Sequence, residues 1–559
     1  LWFGGSSNMD VLPRHGHGPG QQVVDGRLFI QGINTLSARD VYTGRVLWKR
    51  DFKDLGTYDV YYDATYRETP LDPAYNQVHI PGANARGTNY VATPEHVYIL
   101  EGAVCRVLDP RNGDILRTIE LPQENPKEPQ EWSYLGVYQN VLIGGLGFAK
   151  YRQRLEISFE EEDGKLGGNK AGFGSKSLDR AGSMLLVGFD RFSGRQLWKI
   201  PARHSFWNNG VIAGGGRIYC LDRNPKQVEE KLQRRGISAP STYRILALNP
   251  QTGEELWQKT DGVFGTWLGY SEQHDLLLQA GAAASDRLSG EPDRGMMVCR
   301  ANNGDVVWHQ PDLAYSGPCI LHNDLIIANA NSYKDSAGAW FLKTGQPWLI
   351  MNPLTGEQSP FTLNRAYGCN TILASENFLT FRSGAAGFYD LTNNGGTGNF
   401  GGFRSGCSGN LVVANGVLNA PDYTRTCSCS YQNQTSLALV HMPEVETWTV
   451  SPLARPDAPR QPIADLGINF GAPGHQRDDQ GTLWIEWPAV VTENSPAHIR
   501  ANPEATPYRR HSSAYADSRS PWIYASGLQN IQWLEIETSI GGGKAAAQKA
   551  PRGKSEDCQ

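Results

Sequence analysis

The chain has 559 residues, a net charge of −5 without long blocks of one sign, 62 glycines, 33 prolines and 10% aromatic residues. That even balance excludes the clustered basic surface of a nucleic-acid groove, and no apolar run approaches the roughly 20 residues that cross a bilayer as a helix. Gly- and Pro-rich punctuation of short apolar runs predicts strands joined by many turns, and the best helical period, 226–235, is short and polar, so an all-β protein is expected.

The chain opens on Leu1-Trp2-Phe3, which reads as strand and not as a leader; the segment is expected to be mature or cut from a longer chain. Val23-Val24-Asp25-Gly26-Arg27-Leu28-Phe29-Ile30 reads as strand, Asp-Gly turn, strand, and Val412-Val413-Ala414-Asn415-Gly416-Val417-Leu418 repeats it with Asn-Gly. Next comes Ala38-Arg39-Asp40-Val41-Tyr42-Thr43-Gly44-Arg45-Val46-Leu47-Trp48. Its Asp suits a side chain that caps the turn amides, its Gly supplies positive φ, and its Trp brings a large apolar face to a neighbouring layer. The phrase returns at 107–113 with Arg117 in the tryptophan place, at 188–194 closing on Trp198, at 247–253 closing on Trp257, and at Asn303-Gly304 closing on Trp308. A sixth unit is read at 351–356 with Pro360 where tryptophan would stand, a degraded seventh at 387–395, and an eighth that keeps Ala438, Leu439 and Trp448. Units that cannot bury both faces alone must stack.

The pattern A-x-D-x-x-T-G-x-x-x-W resembles the tryptophan-docking motif of the eight-bladed quinoprotein-like (PQQ-repeat) β-propellers. Residues 38–48 match every specified position and 247–257 all but Asn249. The resemblance implies an all-β fold, an eight-bladed β-propeller across 1–455; beyond it the composition shifts, and a linker at 456–462 inside a proline-rich stretch, a small C-terminal β-sandwich-like region at 463–540 and a disordered Gly/Ala/Lys tail at 541–559 are expected. Over a short run, Ile468-Asn469-Phe470-Gly471 through Thr482-Leu483-Trp484 is similar to malectin-like sugar-binding sandwiches.

In such a propeller the innermost strands line a channel, and ligands bind at one mouth. Working back from the docking phrases places Arg86, Trp132, Trp207, Trp267 and Arg404 near channel entries, where arginines hold carboxylates and tryptophans stack on a flat ring, whether a quinone or a sugar. The family's dehydrogenases add calcium held by Glu, Asn and Asp, with an Asp base beside it. Glu131 and Asn208 are the candidate calcium ligands; no aspartate stands at an equivalent entry, and the adjacent Cys-Cys pair of many alcohol dehydrogenases is missing. Asp422, in a cysteine-rich stretch, is the candidate base. His15 and His17 lack a third ligand, and the acid run 160–163 lacks a calcium-loop pattern, so both read as solvated loop.

Cys105, Cys220, Cys299 and Cys319 sit singly in apolar runs and read as buried thiols. Cys369, Cys407, Cys427 and Cys429 cluster, which suggests two disulfides and an oxidising compartment (periplasmic, cell-surface or secreted). Zinc fits less well, because a C-x-C pair lacks the usual spacing. Two functions follow. One is an extracytoplasmic ligand-binding or scaffold propeller within a larger chain or complex, with protein partners and a small molecule or glycan at the channel mouth. The alternative is a PQQ/calcium-dependent oxidoreductase of an alcohol or sugar. The missing aspartate favours the first.

Overall fold

The computed structural model describes residues 1–4, 12–13, 19–32, 34–55, 87–123, 130–156, 178–237, 242–281, 291–329, 337–363, 365–366, 371–401, 403, 411–421, 424–425, 436–442, 446–451, 463–489, 495–515 and 520–538. Two compact units emerge. Leu1–Trp348, Phe361–Phe388 and Phe400–His441 form the first; Leu349–Pro360, Tyr389–Asn399 and Met442–Gln559 form the second.

The first unit is a succession of propeller-type antiparallel sheets. The first sheet runs Gln22–Val24, Arg27–Gly32, Thr35–Asp40 and Val46–Asp51, and the next runs from Tyr90–Ala92 to Ile115–Glu120. Its Asp25-Gly26 turn has consecutive positive φ values of 50° and 72°, and Asn415-Gly416 has 54° and 73°. This mirror-image turn matches the twist of a two-residue hairpin, which is why the Asp-Gly and Asn-Gly pairs were readable. A seven-stranded sheet follows, from Trp132–Tyr138 to Glu255–Lys259. It is two four-stranded layers sharing one long strand, Gln196–Gly214, whose first part pairs with Gly182–Asp190 and whose later part pairs with Arg217–Asp222. The helix Lys226–Arg234 forms where the sequence put its one helical period, burying Val228 and Leu232.

The docking phrase behaves as its chemistry predicts. Asp40 Oδ1 accepts from the Tyr42 amide (3.0 Å), the Thr43 amide (2.7 Å) and the Thr43 hydroxyl (2.8 Å). Each docking indole N–H then donates to the turn of the following four-stranded layer or sheet: Trp48 to Pro110 O (3.0 Å), Trp198 to Pro250 O (2.6 Å), Trp257 to Ala301 O (3.1 Å) and Trp308 to Leu342 O (2.7 Å). The rings lie over Gly113, Gly253, Gly304 and Gly345, where a Cβ would come within 2.6–2.9 Å of the indole. These glycines are needed twice, for positive φ and for the space under the ring.

Two turns differ from the sequence reading. The sixth docking turn is Lys343-Thr344-Gly345, seated beneath Trp308, and not Thr355-Gly356. The last sheet, Val412–Ala414, Val417–Ala420 and Ser436–Leu439, takes its outer strand from the start of the chain: Trp2–Gly4 pairs with it, Trp2 opposite Ala438. Trp2 is therefore that sheet's docking residue, donating to Val41 O at 2.8 Å with its ring over Gly44. Trp448 instead lies in the second unit and donates to Glu446 Oε2 (3.2 Å). Where Arg117 replaces tryptophan, Ile119 packs on Gly194, and the Tyr98 hydroxyl donates to Arg191 O (3.4 Å) in place of an indole.

Antiparallel order fixes where function can reside. Successive connections alternate ends, so docking turns and first hairpin turns share one edge of the sheets. The described ends of the longer connections, at 149–156 and 178–181, 223–237 and 242–243, 260–266, and 281 and 291–293, share the other edge. Between the sheets lie apolar layers such as Tyr98, Val107, Trp132, Leu142 and Phe189. The free thiols Cys105, Cys220, Cys299 and Cys319 are all buried there.

In the second unit, Gly467–Phe470 pairs in parallel with Leu483–Trp487, against which Gln476–Arg477 runs antiparallel. Two further ribbons pair Ala497–Ala501 with Leu534–Thr538 and Thr506–Arg509 with Ser526–Gln529. His475 Nδ1 accepts from the Ser451 amide (2.9 Å) and Nε2 faces Glu486 Oε2 (2.8 Å), a buried pair inside this unit.

Candidate functional site

The long-connection edge of the first unit carries a charged hollow of about 490 Å³, lined by Glu131, Phe148, Lys150, Arg152, Asp179 and Arg180 among others. Its parts come from one sheet. Glu131 precedes the strand Trp132–Tyr138, and its carbonyl accepts from the Gly147 amide (2.8 Å). Lys150 follows Val141–Phe148 in left-handed conformation (φ 43°) and introduces the helix Tyr151–Leu155. Its ammonium meets Glu131 Oε2 at 2.5 Å. Arg152 Nε donates to Asp179 Oδ2 (2.8 Å), and the Arg180 guanidinium lies over the Phe148 ring at 5.4 Å.

Asn208 belongs to the same region but is buried and taken up by protein partners. Its Nδ2 donates to Ser133 O and Arg180 O, both at 3.1 Å, and its Oδ1 accepts from the Ser183 hydroxyl (3.1 Å). It ties the innermost strands to one another. Glu131 thus faces an ammonium and the Asn208 oxygen accepts from a hydroxyl.

The predicted stacking residues divide similarly. Trp132 is 3% exposed, tilted against Phe189, and donates to Ala103 O (3.0 Å). Trp207 is 2% exposed and packs among Tyr151, Leu178, Ala181 and Leu221. Trp267 is half-buried over Gly269. Trp132 and Trp207 are core, with no face open to a ligand. Arg86, Arg404, Asp422, Cys369, Cys407, Cys427 and Cys429 lie outside the described residues.

Sequence reasoning missed the group that rigidifies this edge. Asp222, fully buried, accepts from the Arg203 amide (2.7 Å), the His204 amide (2.9 Å), the Ser205 amide (3.1 Å) and Arg244 Nε (3.0 Å). It closes the irregular stretch of Gln196–Gly214 where the register shifts between Phe206 and Val211. Tyr151 O–H pairs with the Ser205 hydroxyl, and burial pushes the Tyr151 phenol pKa up. Burial also lowers the His204 imidazole pKa, opposed by nearby Asp222. The available signal was Asp222-Arg223 ending an apolar strand, where an acid has no reason to stand unless the backbone needs it.

Residues 101–314 match the family described as "Outer membrane protein assembly factor BamB", and the chain resembles the PQQ-type β-propellers. Similar solved structures include BamB from Moraxella catarrhalis, 11% identical over 65% of this chain and 82% of that one (TM-score 0.35). Another is quinohemoprotein alcohol dehydrogenase from Comamonas testosteroni, 12% identical over 81% and 80% (TM-score 0.43). A europium-containing methanol dehydrogenase is 9% identical over 70% and 78% (TM-score 0.38). No curated protein matches the chain.

Proposed function

We propose that the chain is an extracytoplasmic, eight-bladed propeller that acts as a binding or scaffold module and not as a quinone dehydrogenase. The reading takes 1–455 as propeller and 463–540 as a small second β domain. Protein partners, and a small molecule or glycan, would meet the long-connection edge of the propeller. One observation carries this: the two residues best suited to hold calcium are engaged elsewhere, Glu131 by Lys150 at 2.5 Å and Asn208 by three protein groups. The matching family's description, an assembly factor, supports a partner-binding role. Among the described residues no helix is long and apolar enough to cross a membrane.

The test is dye reduction after the purified full chain is incubated with PQQ and calcium, assayed on alcohols and sugars. The scaffold reading expects no turnover above protein-free controls. Turnover that requires both PQQ and calcium and is lost in Asp422→Ala would overturn it.

A further inference from the structure

The long-connection edge holds a second hollow, an open cleft of about 510 Å³ whose lining includes Tyr243, Val263, Phe264, Pro292, Arg294 and His309. We infer that this cleft binds a small planar aromatic carboxylate. Its volume lies within the range of small-molecule sites, roughly 300–1,000 Å³.

The wall is flat and apolar. The Phe264 and His309 rings stack with centroids 5.7 Å apart and planes 19° apart, beside Val263 and Pro292. Aromatic faces prefer such offset neighbours, so a third ring extends the stack. Gly295 keeps the slot open: its φ is 88°, and a Cβ there would sit 3.0 Å from Phe264 Cε2.

The mouth carries a cation. Arg294 is exposed, and among the described residues it makes no ion pair. Asp261, Glu291, Asp293 and Asp312, the acids that adjoin lining residues in sequence, do not themselves line the cleft. A planar guanidinium beside an aromatic stack matches a carboxylate attached to a ring, which it holds with two parallel hydrogen bonds.

The floor is held in place before any ligand arrives. Gln279, 1% exposed, donates to Gly262 O (3.0 Å) and accepts from the Phe264 amide (3.0 Å) and the Gly265 amide (3.2 Å). From the other side the Arg223 guanidinium donates to Phe264 O and to Gly265 O (3.1 Å), lies over the Tyr243 ring at 5.1 Å, and is fixed by Glu229 (3.2 Å). A loop clamped on both sides loses little further freedom on binding, which favours affinity in a small site.

Calorimetric titration of the full chain tests this, with indole-3-acetate and benzoate as probes and benzyl alcohol and cyclohexanecarboxylate as controls lacking the charge or the flat ring. Saturable binding of the aromatic carboxylates is expected, at least about tenfold weaker for each control and for Arg294→Gln, the scale of one lost charge-assisted pair. Glu131→Gln, in the other hollow, should leave binding unchanged. No saturation by about 10 mM probe, a range that reaches millimolar affinities, would overturn the inference. So would benzyl alcohol binding as tightly as benzoate, or Arg294→Gln binding as tightly as the parent chain. None of these outcomes bears on quinone turnover, so this inference and the proposed function fail separately.

Discussion

Replacing Trp198 with alanine should cost more than almost any other single truncation in the chain. The residue is 6% exposed, its N–H donates to Pro250 O at 2.6 Å, and its ring covers both Gly188 and Gly253. Truncating a buried tryptophan costs about 3–5 kcal/mol, because the transfer free energy is lost and a cavity stays behind. Trp198→Phe keeps a ring but loses the donor, and that hydrogen bond alone contributes about 0.5–1.5 kcal/mol. Gly253→Ala should also destabilise, since its φ is 70° and its Cβ would lie 2.7 Å from Trp198 Cγ. The pair should couple. With the indole gone, the new methyl has nothing to strike, and the double variant should fall short of the summed cost by about 1 kcal/mol or more. Urea unfolding measures the energies, and hydrogen exchange at the Gly253 amide, bonded to Asn249 O at 2.8 Å, reports the seam itself. Trp533→Ala, at a 49% exposed position, serves as the control and should stay within about 0.5 kcal/mol. A Trp198→Ala cost below about 1 kcal/mol, or a strictly additive cycle, would refute tryptophan docking as the source of cohesion between sheets.

Other outcomes follow from single groups. Burial pushes the Cys319 thiol to about 12 and Cys299 to about 11, and raises Cys105 and Cys220 as well. Iodoacetamide at pH 8 should therefore leave all four unlabelled in the folded chain and label all four in urea, as read by peptide mass mapping. Rapid native labelling of Cys105 would contradict the packing. Asp109 is held at about 2 by the Arg111 guanidinium, with help from the Arg111 amide. Because its folded pKa lies below the unfolded value of about 3.9, its contribution is full above that value and lost as pH falls towards 2. The stability gap between the parent chain and Asp109→Asn should shrink between pH 4 and pH 2 in acid-unfolding curves; a gap constant across that window would contradict the assignment. Asp222→Asn places an N–H₂ group against donors that now meet a carboxylate oxygen and should cost about 3–5 kcal/mol in urea unfolding. A cost under about 1 kcal/mol would mean that Asp222 does not hold the strand irregularity.

The docking phrase was legible because its parts are near in sequence and each has its own physical demand. The Asp caps the turn, the Gly takes positive φ beneath a ring, and the Trp stands at a fixed offset. Two placements were lost for reasons that local pattern does not carry. Thr344-Gly345 and Thr355-Gly356 offer the same local chemistry, and only the reach of Trp308 separates them; Pro360 in the tryptophan place was the available warning. The last sheet draws its outer strand from Trp2–Gly4, so its docking residue lies at the opposite end of the chain from the strand it pairs with. The site was harder still. Strand alternation separates inside from outside only where one face is wet, and Trp207 and Asn208, adjacent in sequence, are both buried. Lys150, which engages Glu131, became a candidate only when the end of one strand was placed beside the start of another.

The central claim is that Glu131 and Asn208 serve the protein's own architecture and not a quinone-bound calcium. Calorimetric titration of the chain with PQQ, with and without calcium, addresses it most directly, using Arg294→Gln as background so that the aromatic cleft does not contribute. The account predicts no calcium-dependent, one-to-one quinone binding, and no change in the titration when Lys150→Met releases Glu131. One PQQ bound per chain only when calcium is present, and abolished by Glu131→Gln, would contradict it.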